Sequence, residues 1–138
     1  MEKHILDLQG APISLQNVNV VVVGTACTDV FVKTDAIVPP CLPGEEPLVS
    51  YKLGSKILVD ELEFHTGGGG ANAAGTFARL GLKTAFIGRI GTDIRGHRLF
   101  QWLYNNNIMF LGQVAGETTG FSVILRCRAE DHYTYLPG

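Results

Sequence analysis

Four consecutive glycines at positions 67–70 lead straight into a helical pattern, and no other stretch restricts the fold as strongly. Apolar Ala73, Phe77 and Leu80 recur at helical spacing, and Gly81 stands where a left-handed residue usually closes a helix. A glycine run indicates positive φ angles or a ligand that contacts the main chain. The start of a helix also offers unpaired N–H groups to oxygen-rich ligands. The run predicts either a polar ligand site or a structural tether or turn, and the glycines alone leave both open.

The run does not match either of two common nucleotide-binding motifs. Ala71 and Asn72 follow the last glycine, where a Walker loop needs a Lys-Ser or Lys-Thr pair. A dinucleotide fingerprint follows a buried first strand, whereas residues 56–64 are charged and alternating. Neither motif therefore assigns a nucleotide to this turn.

Length and composition predict one globular domain's worth of chain. It has 138 residues, 46% of them hydrophobic, which is enough for a core. The formal net charge is -2 and no cluster of Lys or Arg occurs, so we expect no nucleic-acid partner. No apolar run approaches the roughly 20 residues that span a bilayer, and the first residues lack the order of a signal peptide. We therefore expect a cytoplasmic protein without a membrane partner.

The cysteines favour the same compartment. Cys27, Cys41 and Cys127 are widely spaced and lack the paired spacing of a zinc site. We expect them to be free thiols in a reducing compartment, and we expect no metal site.

The first half of the chain predicts one strand, one candidate acidic residue and a ribbon. After an N-terminal arm, residues 1–17, a β-branched run at 18–23 predicts a central strand buried on both faces. Asp29 follows it, and this carboxylate either contacts a ligand or caps a turn. Five prolines and glycines between residues 39 and 47 predict a surface loop. Residues 48–53 and 56–64, joined by Gly54-Ser55, predict a hairpin that could cover a site.

The second half alternates strands and helices. An apolar run at 84–90 follows the glycine-run helix, which favours a parallel strand–helix–strand crossover. Asp93 is predicted to cap a helix whose apolar face is Leu99, Trp102 and Leu103. Residues 105–107, all asparagine, end that helix, and residues 121–125 and 133–136 predict a pair of strands.

The ordered series of motifs resembles the N-terminal half of the ribokinase-like, or PfkB, family of sugar and nucleoside kinases. The matching stretches are Val20-Val21-Val22-Val23-Gly24 leading to Asp29, Gly67-Gly68-Gly69-Gly70-Ala71-Asn72-Ala73-Ala74, Ala78-Arg79-Leu80-Gly81, Phe86-Ile87-Gly88-Arg89-Ile90-Gly91-Thr92-Asp93 and Thr119-Gly120. The resemblance implies an α/β fold over residues 18–138: a Rossmann-like, mostly parallel sheet with flanking helices and a small antiparallel β lid at about 45–66, as an incomplete domain.

The resemblance also implies a substrate site and its residues. Asp29 would bind sugar hydroxyls, the Gly68-Gly69 backbone would approach the same sugar, and Asn72 would complete the contact. The family's second signature, Gly-Ala-Gly-Asp, supplies the catalytic base and is absent from these 138 residues. We therefore expect no catalytic residue in this chain, ATP and Mg²⁺ as cofactors of the parent kinase only, and a sugar or nucleoside as ligand. A non-catalytic sugar-binding module and a module that dimerises through its lid remain alternatives.

Overall fold

The computed structural model describes residues 18–34, 52–126 and 133–137, and the chain divides into two units. The first unit comprises Met1–Thr28 and Thr66–Gly120, and the second comprises Asp29–His65 and Phe121–Gly138. The predicted arm at 1–17 lies outside the described residues. In chain order the elements are β1 Val20–Val23, β2 Cys27–Lys33, β3 Glu61–Gly67, α1 Gly69–Arg79, β4 Thr84–Ile87, β5 Arg89–Gly91, α2 Ile94–Asn105, β6 Met109–Phe110, β7 Gln113–Ala115, β8 Phe121–Arg126 and β9 Tyr133–Pro137.

The first unit contains a three-stranded parallel sheet in the order β1-β4-β6. Val22 pairs with Phe86, and Phe86 pairs with Phe110, so these side chains share one face. There they pack with buried residues of both helices, including Ala74 of α1 and Leu103 of α2. The parallel pairing of β1 with β4, which follows α1, confirms the predicted crossover.

The other face of this sheet is largely exposed within the described residues, although Ala85, the register partner of Val21, is fully buried. Val21 is 47% exposed and Val23 is 74% exposed, while Ile87 and Met109 of the neighbouring strands are 37% and 36% exposed. The prediction of a central strand buried on both faces is therefore wrong for the described part of the chain. The reason is that β1 ends the described strand order, and both helices pack against the face that carries Phe86.

Helix α1 buries its smallest residues rather than its largest. Its buried positions are Gly70, Ala71, Ala74 and Gly75, whereas Leu80 is 71% exposed. The predicted apolar face of Ala73, Phe77 and Leu80 is therefore wrong. Close packing is the physical reason: a Cβ added at Gly75 would lie 2.9 Å from the Trp102 ring.

The end of α1 follows the sequence prediction. Gly81 has a φ of 82°, and its N–H donates to the carbonyl of Ala78 at 3.0 Å. The N–H of Leu82 donates to the carbonyl of Phe77 at 3.1 Å, which completes a Schellman closure.

The apolar run at 84–90 forms two strands instead of one. It divides at Gly88 into β4 and β5, and β5 pairs in parallel with β7 in a separate two-stranded sheet. A Cβ at Gly88 would lie 2.7 Å from the carbonyl oxygen of Gly24, so the backbone crosses there too closely for a side chain. The short strands β6 and β7 were not among the predicted elements.

Helix α2 matches its prediction. Asp93 is the N-cap, and its side chain accepts a hydrogen bond from the N–H of Gly96. Leu99 and Leu103 are fully buried, and Trp102 is partly buried against the same core. No helix among the described residues is long and apolar enough to cross a membrane.

The second unit is built on a four-stranded sheet in the order β3-β2-β8-β9. Strands β8 and β9 are antiparallel, which confirms the predicted strand pair. The predicted lid ribbon is confirmed only in part, because the strand begins at Glu61 and residues 52–60 form no strand. Its turn does form: Gly54 has a φ of 78°, and the Ser55 N–H donates to the Lys52 carbonyl at 3.0 Å. Residues 48–51, the other predicted strand, lie outside the described residues.

Candidate functional site

Two of the glycines at the start of α1 are required by the fold, each for a different reason, and a third is not. Gly68, the N-cap, has a φ of 91°, and a Cβ there would lie 2.6 Å from the carbonyl oxygen of Thr25. Gly70 is buried, and its Cβ would lie 2.8 Å from the Cα of Gly24. Gly69 is exposed, has no positive φ, and its Cβ would meet nothing within 4 Å. The fold therefore requires glycine at 68 and 70 but not at 69.

The close approach at Gly68 and Gly70 attaches the start of α1 to the loop that leads into β2. The N–H of Ala71 donates to the carbonyl of Thr25 at 3.1 Å, across the turn that follows β1. Only glycines allow two stretches of main chain to approach this closely. The turn predicted from the glycine run is therefore a rigid strand-to-helix junction rather than a flexible tether.

Asn72 lies in the first turn of α1 and is exposed. Its main-chain N–H donates to the carbonyl of Gly68 at 3.0 Å. No side chain caps the helix at Gly68, and the first turn contains no acidic residue. The N-terminal end of α1 thus combines the positive end of a helix dipole, an exposed glycine and an exposed amide, all of which suit a ligand rich in oxygen.

Asp29 lies inside β2 and is half-buried. Its main chain is part of a seven-residue strand rather than of a turn. Asp29 belongs to the second unit, whereas Gly68, Gly69 and Asn72 belong to the first. The grouping of Asp29 with the glycine turn therefore stays a prediction.

A second polar cluster joins the start of α2 to the residues before β8. The Thr119 hydroxyl donates to Asp93 Oδ1 at 2.6 Å, and the Thr119 N–H donates to the same oxygen at 3.2 Å. The N–H of Gly91 donates to the Thr119 hydroxyl at 2.9 Å, and Arg95 pairs with Asp93 Oδ2 at 2.8 Å. Chiefly through the Thr119 hydroxyl, these contacts lower the pKa of Asp93 to about 2. Sequence reasoning found the cap and singled out Thr119-Gly120, but it missed the bonds between Thr119 and Asp93, because the two residues are 26 positions apart.

Comparison with known proteins identifies the family of this chain. The model of the pfkB family carbohydrate kinases matches residues 18–137 of this chain. The chain belongs to the pfkB family of carbohydrate kinases. The expected α/β fold class agrees with that membership and with the sheet described above.

Two curated relatives and one solved structure are similar to this PfkB chain. Ribokinase of Arabidopsis thaliana is 31% identical over 109 residues, which cover 76% of this chain and 25% of that protein. A 5-dehydro-2-deoxygluconokinase of Geobacillus thermodenitrificans is 50% identical over 44 residues, covering 32% of this chain and 13% of that protein. A structure of Arabidopsis thaliana ribokinase complexed with ribose and ATP superposes with a TM-score of 0.64 at 26% identity, covering 86% of this chain and 35% of that one. The PfkB chain thus spans a quarter or less of the length of these curated relatives.

The acidic side chains of this PfkB chain are dispersed or paired rather than clustered in the part that the structure describes. Within residues 18–34, 52–126 and 133–137 no group of three or more His, Cys, Asp or Glu side chains could hold a metal ion. The acidic side chains of β3 are instead engaged in pairs: Glu61 with Lys33 at 2.6 Å and Glu63 with His65 at 2.9 Å. The hydrogen bond from His65 lowers the pKa of Glu63.

Proposed function

We propose that this chain supplies the sugar-binding portion of an ATP-dependent carbohydrate or nucleoside kinase of the cytoplasm. In this proposal Asp29 accepts hydrogen bonds from sugar hydroxyls, the main chain at Gly68 and Gly69 lies against the sugar, and Asn72 completes the site. Catalytic groups, ATP and Mg²⁺ belong to the parent kinase, and this chain alone has no turnover. Membership of the pfkB family and the likeness to Arabidopsis thaliana ribokinase support the class of ligand.

The observation that carries the proposal is the glycine at position 69. Position 69 is exposed and its φ is not positive, and a Cβ there would meet nothing within 4 Å. The fold therefore does not require glycine at this position. Glycine at such a position lowers stability by about 0.4–1 kcal/mol relative to alanine, because it leaves the unfolded chain more freedom. At the N-terminal end of a helix, where main-chain N–H groups can face a ligand, contact between a ligand and the main chain would account for this glycine.

The chemistry of the four residues suits a polyol. A vicinal diol presents two O–H donors, and an ionised carboxylate such as Asp29 can accept both. The diol oxygens also accept, and the N–H groups at the start of α1 and the Asn72 amide can donate to them. The same groups would bind the ribose of a nucleoside equally well, so the proposal covers both ligand classes.

Calorimetric titration of the 138-residue chain tests the proposal. The panel contains ribose, other pentoses, hexoses and nucleosides, and each is titrated without nucleotide. We expect saturable binding of at least one ligand, and we expect Asp29→Ala to weaken it by about 1.5–3 kcal/mol, as for a lost hydrogen bond to a charged group. Asp60→Ala is the matched control, since Asp60 is an exposed acid of the same unit. Absence of saturable binding across the panel, or equal affinity of Asp29→Ala and wild type, would overturn the assignment.

A second candidate function is self-association through β3, and a specific observation favours it. Leu62 and Phe64 alternate along β3 and are 53% and 55% exposed, and Leu53 before them is 95% exposed. β3 also ends the strand order of its sheet within the described residues, and an exposed apolar edge favours pairing with another chain. Light scattering of wild type and Leu62→Lys distinguishes this role, with Lys56→Glu, a charge change at an exposed residue of the same unit, as the control. A monomeric wild type at high concentration would exclude it.

A further inference from the structure

The main-chain segment just before Asp29 is held by a hydrogen bond from outside its own strand. The N–H of Thr28 donates to the carbonyl oxygen of Gly120 at 3.0 Å, and both residues belong to the first unit. Thr28 is 7% exposed, so this N–H has no access to water as an alternative partner. The position of the Gly120 carbonyl therefore controls the position of Thr28, from which Asp29 follows directly in β2.

Gly120 is in turn fixed through Thr119, the residue before it. Thr119 is 3% exposed and uses its N–H, its hydroxyl hydrogen and its hydroxyl oxygen in three separate hydrogen bonds. Two of these bonds end on one carboxylate oxygen of Asp93, and the third comes from the N–H of Gly91. A threonine held at three atoms has almost no rotational freedom, so the peptide that follows it is held as well.

The carboxylate that fixes Thr119 is itself held in place by α2. Asp93 Oδ1 also accepts from the N–H of Gly96 at 3.1 Å, and Oδ2 is 2.8 Å from Arg95. A helix N-terminus and a guanidinium both favour the ionised carboxylate. Asp93 therefore does more than begin a helix, because the same oxygen joins α2 to the segment that holds Thr28.

We propose that Thr119, held by Asp93, is a positioning residue for Asp29. It fixes the Gly120 carbonyl on the Thr28 N–H and so holds the residue that directly precedes Asp29 in the chain. This inference rests on the proposed role of Asp29 in sugar binding. Thr119 itself does not contact the sugar in this proposal.

Three substitutions separate positioning from general stability. Thr119→Val removes the hydroxyl and keeps the shape, whereas Thr119→Ser restores the hydroxyl with a smaller side chain. Thr118→Val is the matched control, since Thr118 is the exposed neighbour of Thr119. Asp93→Asn is a milder second route that serves if Thr119→Val fails to fold: asparagine keeps an acceptor oxygen for the cap and for Thr119, but it removes the charge that strengthens these bonds, so we expect a smaller rise in Thr28 exchange in the same direction.

The first readout is hydrogen exchange of individual amides, measured by NMR on the 138-residue chain. We expect the Thr28 amide to exchange about tenfold or more faster in Thr119→Val than in wild type, with Thr119→Ser and Thr118→Val close to wild type. The Ala71 amide, bonded to the Thr25 carbonyl at 3.1 Å, is the internal reference. Unchanged Thr28 exchange, or an equal rise at Thr28 and Ala71, would overturn the inference, because the second result marks global loss of stability.

The second readout is sugar affinity under conditions in which every variant is folded. With ribose as the probe, we expect Thr119→Val to weaken binding by about tenfold and Thr119→Ser to restore most of it. Equal affinity of Thr119→Val and wild type would overturn the positioning role. If Thr28 exchange responds selectively but wild type binds neither ribose nor any other sugar or nucleoside of the panel, the proposed function fails while the link from Thr119 to Thr28 stands.

Discussion

Substitution of Gly69 is the sharpest test of why the glycine run exists. In Gly69→Ala the new Cβ meets nothing within 4 Å, and the φ of this residue is not positive. The substitution therefore adds no clash and removes conformational freedom from the unfolded chain, so we expect the free energy of unfolding to rise by about 0.4–1 kcal/mol. In Gly68→Ala the Cβ would lie 2.6 Å from the Thr25 carbonyl oxygen at a φ of 91°, so we expect a loss of stability instead.

Binding should respond in the opposite direction from stability. If a sugar lies against the main chain at residue 69, a side chain there occupies its space, and a larger side chain occupies more. We expect ribose affinity to be lower in Gly69→Ala than in wild type and lower again in Gly69→Leu. For Gly69→Leu the expected loss is about tenfold or more relative to wild type, where tenfold corresponds to about 1.4 kcal/mol of binding free energy. Urea unfolding and calorimetric titration on the same samples measure both effects.

Gly116 provides the matched control for this series. It is exposed, has no positive φ, and its Cβ would also meet nothing within 4 Å. Gly116→Ala and Gly116→Leu should leave ribose affinity unchanged, and Gly116→Ala should be stabilising for the same reason as Gly69→Ala. The reasoning is refuted if Gly69→Leu binds ribose as wild type does, or if Gly69→Ala lowers stability.

Three further predictions concern packing, pH and turnover. Gly75→Ala should lower the free energy of unfolding by about 1–3 kcal/mol through overpacking, since its Cβ would lie 2.9 Å from the Trp102 ring, and an unchanged urea midpoint would contradict this. The pKa of Asp93 is lowered from 3.8 to about 2, chiefly by the Thr119 hydroxyl, so its stabilisation is present above pH 3.8 and lost as pH falls toward 2. The stability difference between wild type and Asp93→Asn should shrink by about 2 kcal/mol over that interval, and a constant difference would refute it. Finally, the 138-residue chain should release no ADP from ATP in a sugar-dependent manner, and release that Asp29→Asn abolishes would make Asp29 catalytic.

Sequence predicted the features that depend on a few neighbouring residues. The cap of α2 at Asp93 and the closure of α1 at Gly81 need only local hydrogen bonds, and both are confirmed. The buried face of α1 was predicted wrongly because hydrophobic periodicity assumes that the largest apolar residues, such as Leu80, are buried. Here close packing decides which residues are buried: Gly70 lies against the main chain of Gly24, and Gly75 lies against the Trp102 ring.

Features that depend on distant segments could not be predicted from the chain alone. The apolar run at 84–90 gives no sign of its division, which arises because the Gly24 carbonyl lies where a side chain of residue 88 would stand. The candidate site residues could be identified from their types and from a family resemblance. The bond from Thr119 to Asp93 could not, because it joins positions 26 apart. Such bonds become visible only when the segments are brought together in space.

The glycine run shows that residues of one sequence motif can be required for different reasons, some by the fold and some by a ligand. The fold accounts for Gly68 through its φ and for Gly70 through its contact with Gly24, and neither glycine is evidence for a ligand. Of Gly68, Gly69 and Gly70, Gly69 alone has no internal reason, so the ligand argument from the start of α1 depends on that residue. A side chain at position 69 could change without disturbing the fold, whereas one at 68 or 70 could not. Chains that share this turn but prefer different ligands should therefore differ at the position of Gly69 and keep glycine on both sides of it.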